Sequence, residues 1–145
     1  MSPIITAARF VTGAALIHPD QKSALPKIAG AYLLIARLAE PMSISIGRRR
    51  PDALAAGWYA YAGSAYGPGG IRARVTRHFR SDKAIRWHID QLTQSASELI
   101  AVPVPGGNEC KLLQAMAAEL GVELSIPNFG SSDCKNCSTH LLQCI

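Results

Sequence analysis

The 145-residue chain reads as an α/β protein with a small mixed, largely antiparallel central sheet flanked by about three helices. Three observations predict this. Two apolar, aromatic-bearing runs, "GAYLLIARL" at residues 30–38 and "WYAYAGSA" at residues 58–65, have the length and composition of strands. Helical spacing recurs after the second run and again in "ECKLLQAMAAEL" at residues 109–120. A hydrophobic content of 48% against 17% charged residues supplies one domain with a core and argues against disorder.

The elements follow in order. From Met1 to Ile17 an apolar run has no basic residue ahead of it and is broken by Arg9, which makes a poor signal peptide and too short a stretch to cross a bilayer. Residues 1–26 are read as an N-terminal leader, residues 27–145 as a single domain, and the chain as cytoplasmic with no membrane partner. "MSISIGRRR", from Met42, alternates apolar Met42, Ile44 and Ile46 with serine. The short connection Ala39–Pro41 then predicts an antiparallel hairpin with the first strand. In the third strand Trp58, Ala60 and Ala62 face one way, and Tyr59, Tyr61 and Gly63 the other.

The bend "GPGG" at residues 67–70 ends that strand, and Ile71 to Phe79 suits a short helix with Ile71 and Val75 on its buried face. A second helix is expected from Lys83 to about Ser95, capped by Ser81 or Asp82 and burying Ile85, Ile89 and Leu92. "ELIAVPVP" at residues 98–105 gives a fourth strand. Asn108 caps the third helix, which stops at Gly121. Residues 126–145 show no clear period.

The net charge of +5 and a pI near 9.3 favour an anionic partner. Much of the charge lies just after the aromatic strand, at Arg72, Arg74, Arg77, Arg80, Lys83 and Arg86. Gly30-Ala31-Tyr32 in the first strand and Tyr61-Ala62-Gly63 in the third, with Arg74 on the helix that follows, resemble the pattern that names the GIY-YIG nuclease superfamily. "YAGSAYGPGGIRARVTRHF", "KAIRWHIDQL", "NECKLL" and "FGSSDCKNCSTHL" resemble, in this order, its Uri-type endonuclease branch, over about Gly30 to Leu142. Both triplets carry Ala at the centre, where Ile or Val is usual.

The resemblance implies a GIY-YIG nuclease-like fold and metal-dependent hydrolysis of phosphodiester bonds. The favoured substrate is DNA, in repair or processing. Such an attack needs a deprotonated water, a cation to offset charge on phosphorus, and a proton for the leaving oxygen. Tyr32 would activate or hold the water, Tyr61 would position water or phosphate, and Arg74 would contact the scissile phosphate with its planar fork. His78, four residues after Arg74, would share proton transfer with Tyr32. Glu109, in the first turn of the third helix, is either the ligand of one Mg²⁺ or Mn²⁺ ion or a carboxylate favoured there by the helix dipole.

Ser64, Arg72, Arg77, Arg80, Lys83, Arg86 and His88 are the candidate nucleic-acid contacts, the cations adding salt-sensitive affinity for the backbone. His88 also reads as a core residue with one satisfied nitrogen. Cys110, Cys134, Cys137 and His140 offer soft ligands for a structural Zn²⁺. The alternative is a set of buried or redox-sensitive thiols, since the layout suggests free thiols or a metal before disulfides. Two rival functions stay open: a non-catalytic nucleic-acid-binding module, and a zinc-stabilised accessory domain of a repair complex.

Overall fold

In Gly30–Leu38 only Arg37 breaks the apolar run, and a strand of that composition must be covered on both faces. The computed structural model, which describes residues 2–46, 51–122 and 139–144, places it as β1 at the centre of a four-stranded sheet. On one side it pairs with β4 (Gly57–Ala65) and on the other with β5 (Glu98–Pro105), and β6 (Leu141–Cys144) adds to the free edge of β4. All three pairings are antiparallel.

The two faces carry separate cores. Tyr32, Leu34, Tyr59 and Tyr61 point to the face covered by helices α2 (Gly70–Phe79) and α3 (His88–Ser95), where Ile71, Val75, Ile89 and Leu92 are buried. Ala31, Leu33, Ile35, Ala60 and Ala62 point to the other face, covered by α1 (Pro3–Thr12) and α4 (Glu109–Leu120) through Ile4, Ala8, Leu113 and Met116. The strand alternation expected for residues 58–63 therefore holds, with the aromatic side of β4 under α2 and the alanine side under α4.

Two local devices aim α2 at the sheet. Its start, Gly69 and Gly70, takes positive φ values of 81° and 61°, and a Cβ on Gly70 would lie 2.5 Å from the Ile28 carbonyl oxygen, so the helix can begin only on glycine. The first helical amides then donate to the chain before β1, Ile71 N to Ile28 O at 2.9 Å and Arg72 N to Pro26 O at 3.0 Å.

Three sequence expectations need correction. The stretch from Met42 does not pair with β1: β2 (Met42–Ile44) pairs with β3 (Asp52–Leu54) in a separate two-stranded ribbon, because both flanks of β1 are taken by longer partners. Helix α3 begins at His88 rather than Lys83, and Ile85 is 54% exposed. The carboxylate of Asp90 fixes that start by accepting the backbone N–H groups of Arg86 (2.8 Å) and Trp87 (2.9 Å). Strand β6 lies in the tail that showed no period, its four residues being too few to display one. Among the described residues, the three expected helices are joined by α1 in the leader region and by a 3₁₀ segment at Pro19–Ala24.

That region belongs to the core. Ile4 and Ala8 are fully buried, and Ile17 exchanges backbone hydrogen bonds of 2.8 Å with Ala101 on β5. Among the described residues, no helix is long and apolar enough to cross a membrane. Replacing Ile4 with Ala is expected to lower stability by about 2–4 kcal/mol, the usual loss for a buried Ile cut to Ala. Urea unfolding checks this, and an unchanged midpoint would show that α1 is not part of the cooperative unit.

Candidate active site

In the β1–β4 register Tyr32 stands opposite Gly63, so the two glycine–tyrosine triplets meet at that one cross-strand pair. A Cβ on Gly63 would overlap the ring end and hydroxyl of Tyr32. The absent side chain lets the Tyr32 ring lie across β4 toward α2. There its hydroxyl meets Nε2 of His78 at 2.6 Å, in a bond that is fully buried. Tyr61 completes the group, with its ring centroid 6.4 Å from that of Tyr32 and 6.1 Å from that of His78.

Burial sets the protonation of all three. It raises the Tyr32 phenol well above its ordinary value, with the neighbouring Tyr61 adding to the shift. It pushes Tyr61 up to about 12, against the opposing charge of Arg74. It lowers His78 to about 3, helped by the nearby Lys83 ammonium. The imidazole Nδ1 is also buried and has no hydrogen-bond partner among the described residues. At neutral pH the group is two phenols and a neutral imidazole, with Tyr32 and His78 joined by a short hydrogen bond whose direction the ring tautomer sets.

Arg74 reaches the group from the same helix face as His78. Its guanidinium lies over the ring of Trp87, 4.6 Å from the centroid, while Arg77 stacks on that ring at 4.0 Å. Both guanidinium groups thus contact one indole, yet their polar partners differ. Arg77 makes a two-pronged ion pair with Asp90, at 2.7 and 2.9 Å, and the Asp90 side chain is fully buried. Arg74 has no carboxylate partner among the described residues. Burial would raise the Asp90 carboxyl, but the bonds from Arg77 and from the amides of Trp87 and Arg86 prevail and hold it down to about 2. The sequence reading missed Trp87 and Asp90; an acid three residues after an aromatic at a helix start is the signal that would have found them.

The opposite end of the group is made by α4 and the chain entering β6. Glu109 opens α4, half-buried, behind an Asn108 side chain that accepts the Lys111 amide at 3.0 Å. His140 is 6% exposed, and its carbonyl accepts the Ala62 amide at 3.0 Å, which sets its ring 6.3 Å from that of Tyr61. Donor atoms of Glu109, Cys110 and His140 all lie within 4.8 Å of one another. The carboxylate is close enough to Tyr61 to oppose its ionisation.

Cys110 is disulfide-bonded, and its partner lies outside the described residues. In this state it offers no free thiol, against the expectation that the cysteine layout favours free thiols or a metal before disulfides. Cys134 and Cys137 lie outside the described residues.

A family model described as a domain of unknown function, DUF123, matches residues 31–145. The chain belongs to the DUF123 family. No curated protein and no solved structure matches it. The DUF123 match begins inside β1, so it takes in Tyr32, Tyr61, Arg74, His78, Glu109 and His140 and leaves out α1.

The remaining cations of this DUF123 protein are not an undifferentiated track. Arg72 donates to the carbonyls of Leu25 (2.6 Å) and Ser23 (2.7 Å), and Lys83 to those of His78 (2.7 Å) and Arg80 (2.8 Å), closing the end of α2. Arg80 pairs with the exposed Asp82. Arg86 is exposed, while Ser64 on β4 and His88 at the start of α3 are half-buried, the latter outside the core proposed for it. Charge still gathers on α2: Lys27, Arg72, Arg77 and Arg80 line a groove of about 420 Å³. This shares Ala73 and Arg77 with a smaller cleft of about 120 Å³ between the glycine bend and Arg74.

Two outcomes are expected. Arg77→Ala leaves the Asp90 carboxylate buried without its partner and should cost about 3 kcal/mol in denaturant unfolding; a loss below about 1 kcal/mol would show the pair to be dispensable. His78 takes up a proton near pH 6.5 when unfolded but only near about pH 3 when folded. Its contribution is therefore complete above about pH 6.5 and declines as the pH falls toward about 3. His78→Gln should flatten the stability profile across that window, and an unchanged slope would place the proton uptake elsewhere.

Proposed function

We propose that this DUF123 protein is a metal-dependent nuclease that hydrolyses phosphodiester bonds in DNA, in repair or processing. The observation that carries the reading is the buried Tyr32–His78 hydrogen bond, 2.6 Å long, set beside Tyr61 and flanked by Arg74 on one side and Glu109 on the other. A neutral imidazole bonded to a phenol gives a water attacking phosphorus a route for its proton. The water proton passes to the Tyr32 oxygen as the phenolic proton moves to His78, so Tyr32 never carries a full charge. Burial makes the isolated imidazole a weak base, and an anionic phosphate beside it raises that basicity.

Arg74 is the cation placed to meet the phosphate. Stacking on Trp87 holds its guanidinium without using its N–H donors, which leaves the fork for two phosphate oxygens. The same stacking on Arg77 and the Arg77–Asp90 pair fix Trp87 from behind. The cleft between the glycine bend and Arg74 gives a phosphate a place to enter, and the adjoining basic groove suits the backbone that follows it. Glu109 fits a divalent cation, being a half-buried carboxylate at the rim of the tyrosine cluster. A cation there would supply positive charge to the developing phosphorane.

The order of the Gly-Ala-Tyr and Tyr-Ala-Gly triplets, with Arg74, His78 and Glu109 after them, supports the same reading through its resemblance to GIY-YIG nucleases. Tyr32→Phe, Arg74→Ala and Glu109→Gln are each expected to lower single-turnover cleavage of single-stranded, duplex or branched DNA by about a hundredfold or more, the cost of one lost electrostatic or proton-transfer group. Gel assays with Mg²⁺ and Mn²⁺ read this directly. Tight DNA binding with no metal-dependent product on any substrate would replace the nuclease with a binding module.

A further inference from the structure

We infer that His140 is a second protein ligand of the divalent cation that Glu109 holds, and that this nitrogen biases the site toward Mn²⁺ over Mg²⁺. The inference rests on the nuclease reading for the role of Glu109 and goes beyond it in the ligand set and the metal.

The starting point is placement. Glu109 comes from the first turn of α4, and His140 from the residues leading into β6, yet their donor atoms lie within 4.8 Å of each other. Two atoms bound to one ion at about 2.1 Å are at most about 4.2 Å apart. Glu109 is half-buried rather than locked in the core, so its side chain has room to adjust to that spacing. His140 needs no such movement. Its backbone is pinned to β4 by the 3.0 Å bond from the Ala62 amide, and Thr139 Oγ1 accepts the Leu141 amide at 3.2 Å on its other side.

The third member of the cluster narrows the chemistry. Cys110 Sγ lies 3.7 Å from His140 Nε2, and a thiolate there would draw the site toward Zn²⁺. The disulfide removes that donor. One carboxylate oxygen and one imidazole nitrogen remain, with water free to complete the shell. Mg²⁺ prefers oxygen alone and keeps its octahedral water, whereas Mn²⁺, a transition ion although it too favours oxygen, tolerates one nitrogen donor better than Mg²⁺ does. The position is also suited to the reaction, because the His140 ring sits 6.3 Å from that of Tyr61, which in turn neighbours the Tyr32–His78 pair.

The test uses the full chain and Mn²⁺ itself. Pulsed electron paramagnetic resonance of bound Mn²⁺ is expected to show hyperfine coupling to a directly bonded nitrogen, lost in His140→Gln, while Glu109→Gln abolishes binding. Mn²⁺ affinity should fall at least about tenfold in His140→Gln, the lower range for disturbing a metal site, with Mg²⁺ affinity nearly unchanged. Bound Mn²⁺ without nitrogen coupling in the wild-type chain would overturn the inference even if the variant failed to fold, and so would equal Mn²⁺ affinities in wild type and a folded variant. The two readings fail separately: nitrogen-coupled Mn²⁺ with no DNA cleavage leaves this site intact and removes the nuclease, whereas cleavage supported by Mn²⁺ bound through oxygen alone leaves the nuclease and removes the role of His140.

Discussion

The hydrogen bond between Tyr32 and His78 is possible only because Gly63 has no side chain. In an antiparallel pair, residues directly opposite each other project on the same face of the sheet, so a residue of ordinary size at 63 would stand where the Tyr32 ring lies. Removing that side chain turns a cross-strand contact into a bridge from the sheet to α2. The cost is local, since glycine weakens a strand, but β4 is held on both edges by β1 and β6 and tolerates it. The Tyr-x-Gly spacing is thus a packing rule: Tyr61 and Gly63 share a face, one giving a ring to the group and the other making room for the ring of Tyr32.

Around this bridge the protein buries more polar chemistry than a core of this size readily carries. Two phenols, an imidazole and a carboxylate lie in or against a cluster of leucines, isoleucines and valine. Each is kept in a state that burial permits. The phenols and the imidazole are neutral, and Asp90 keeps its charge because Arg77 and two backbone amides satisfy its oxygens. Charge is therefore confined to one pair with ideal bonding, an arrangement that is costly to break even where it contributes little net stability. Trp87, in contact with both arginines, gives Arg74 a seat without a counter-charge, among the described residues, that would compete for phosphate.

The second face of the sheet does a different job. Its alanines at 31, 60 and 62 let α1 and α4 approach closely, and Leu113 and Met116 fill the layer between. This brings the first turn of α4, with Glu109, to the end of the sheet where the β6 approach places His140. Two residues 31 positions apart in sequence are joined there by the geometry of a strand edge and a helix start.

Much of this was legible in the sequence. The strands at 30–38 and 58–65 were, because long apolar runs bounded by glycine have few other uses, and so was α4, whose Asn108 cap and Gly121 stop stand at the places the structure gives them. The ordered set Tyr32, Tyr61, Arg74, His78 and Glu109 was marked by its resemblance to the GIY-YIG pattern. What the sequence could not show were the partners. Met42–Ile44 looked like the neighbour of β1 by its short connection, but β1 had longer partners on both edges. Helix α3 seemed to start at Lys83 until a buried carboxylate, set by a tertiary ion pair, fixed it at His88. The sequence set Arg74 apart from Arg72 and Arg77, but only folding showed that Arg72 and Arg77 give their donors to the protein while Arg74 has no such bond among the described residues. Local propensity and side-chain periodicity are properties of a segment and can be read from it. Strand partners, ion pairs and the meeting of Glu109 with His140 are relations between segments, decided by which surfaces the closed fold leaves adjacent.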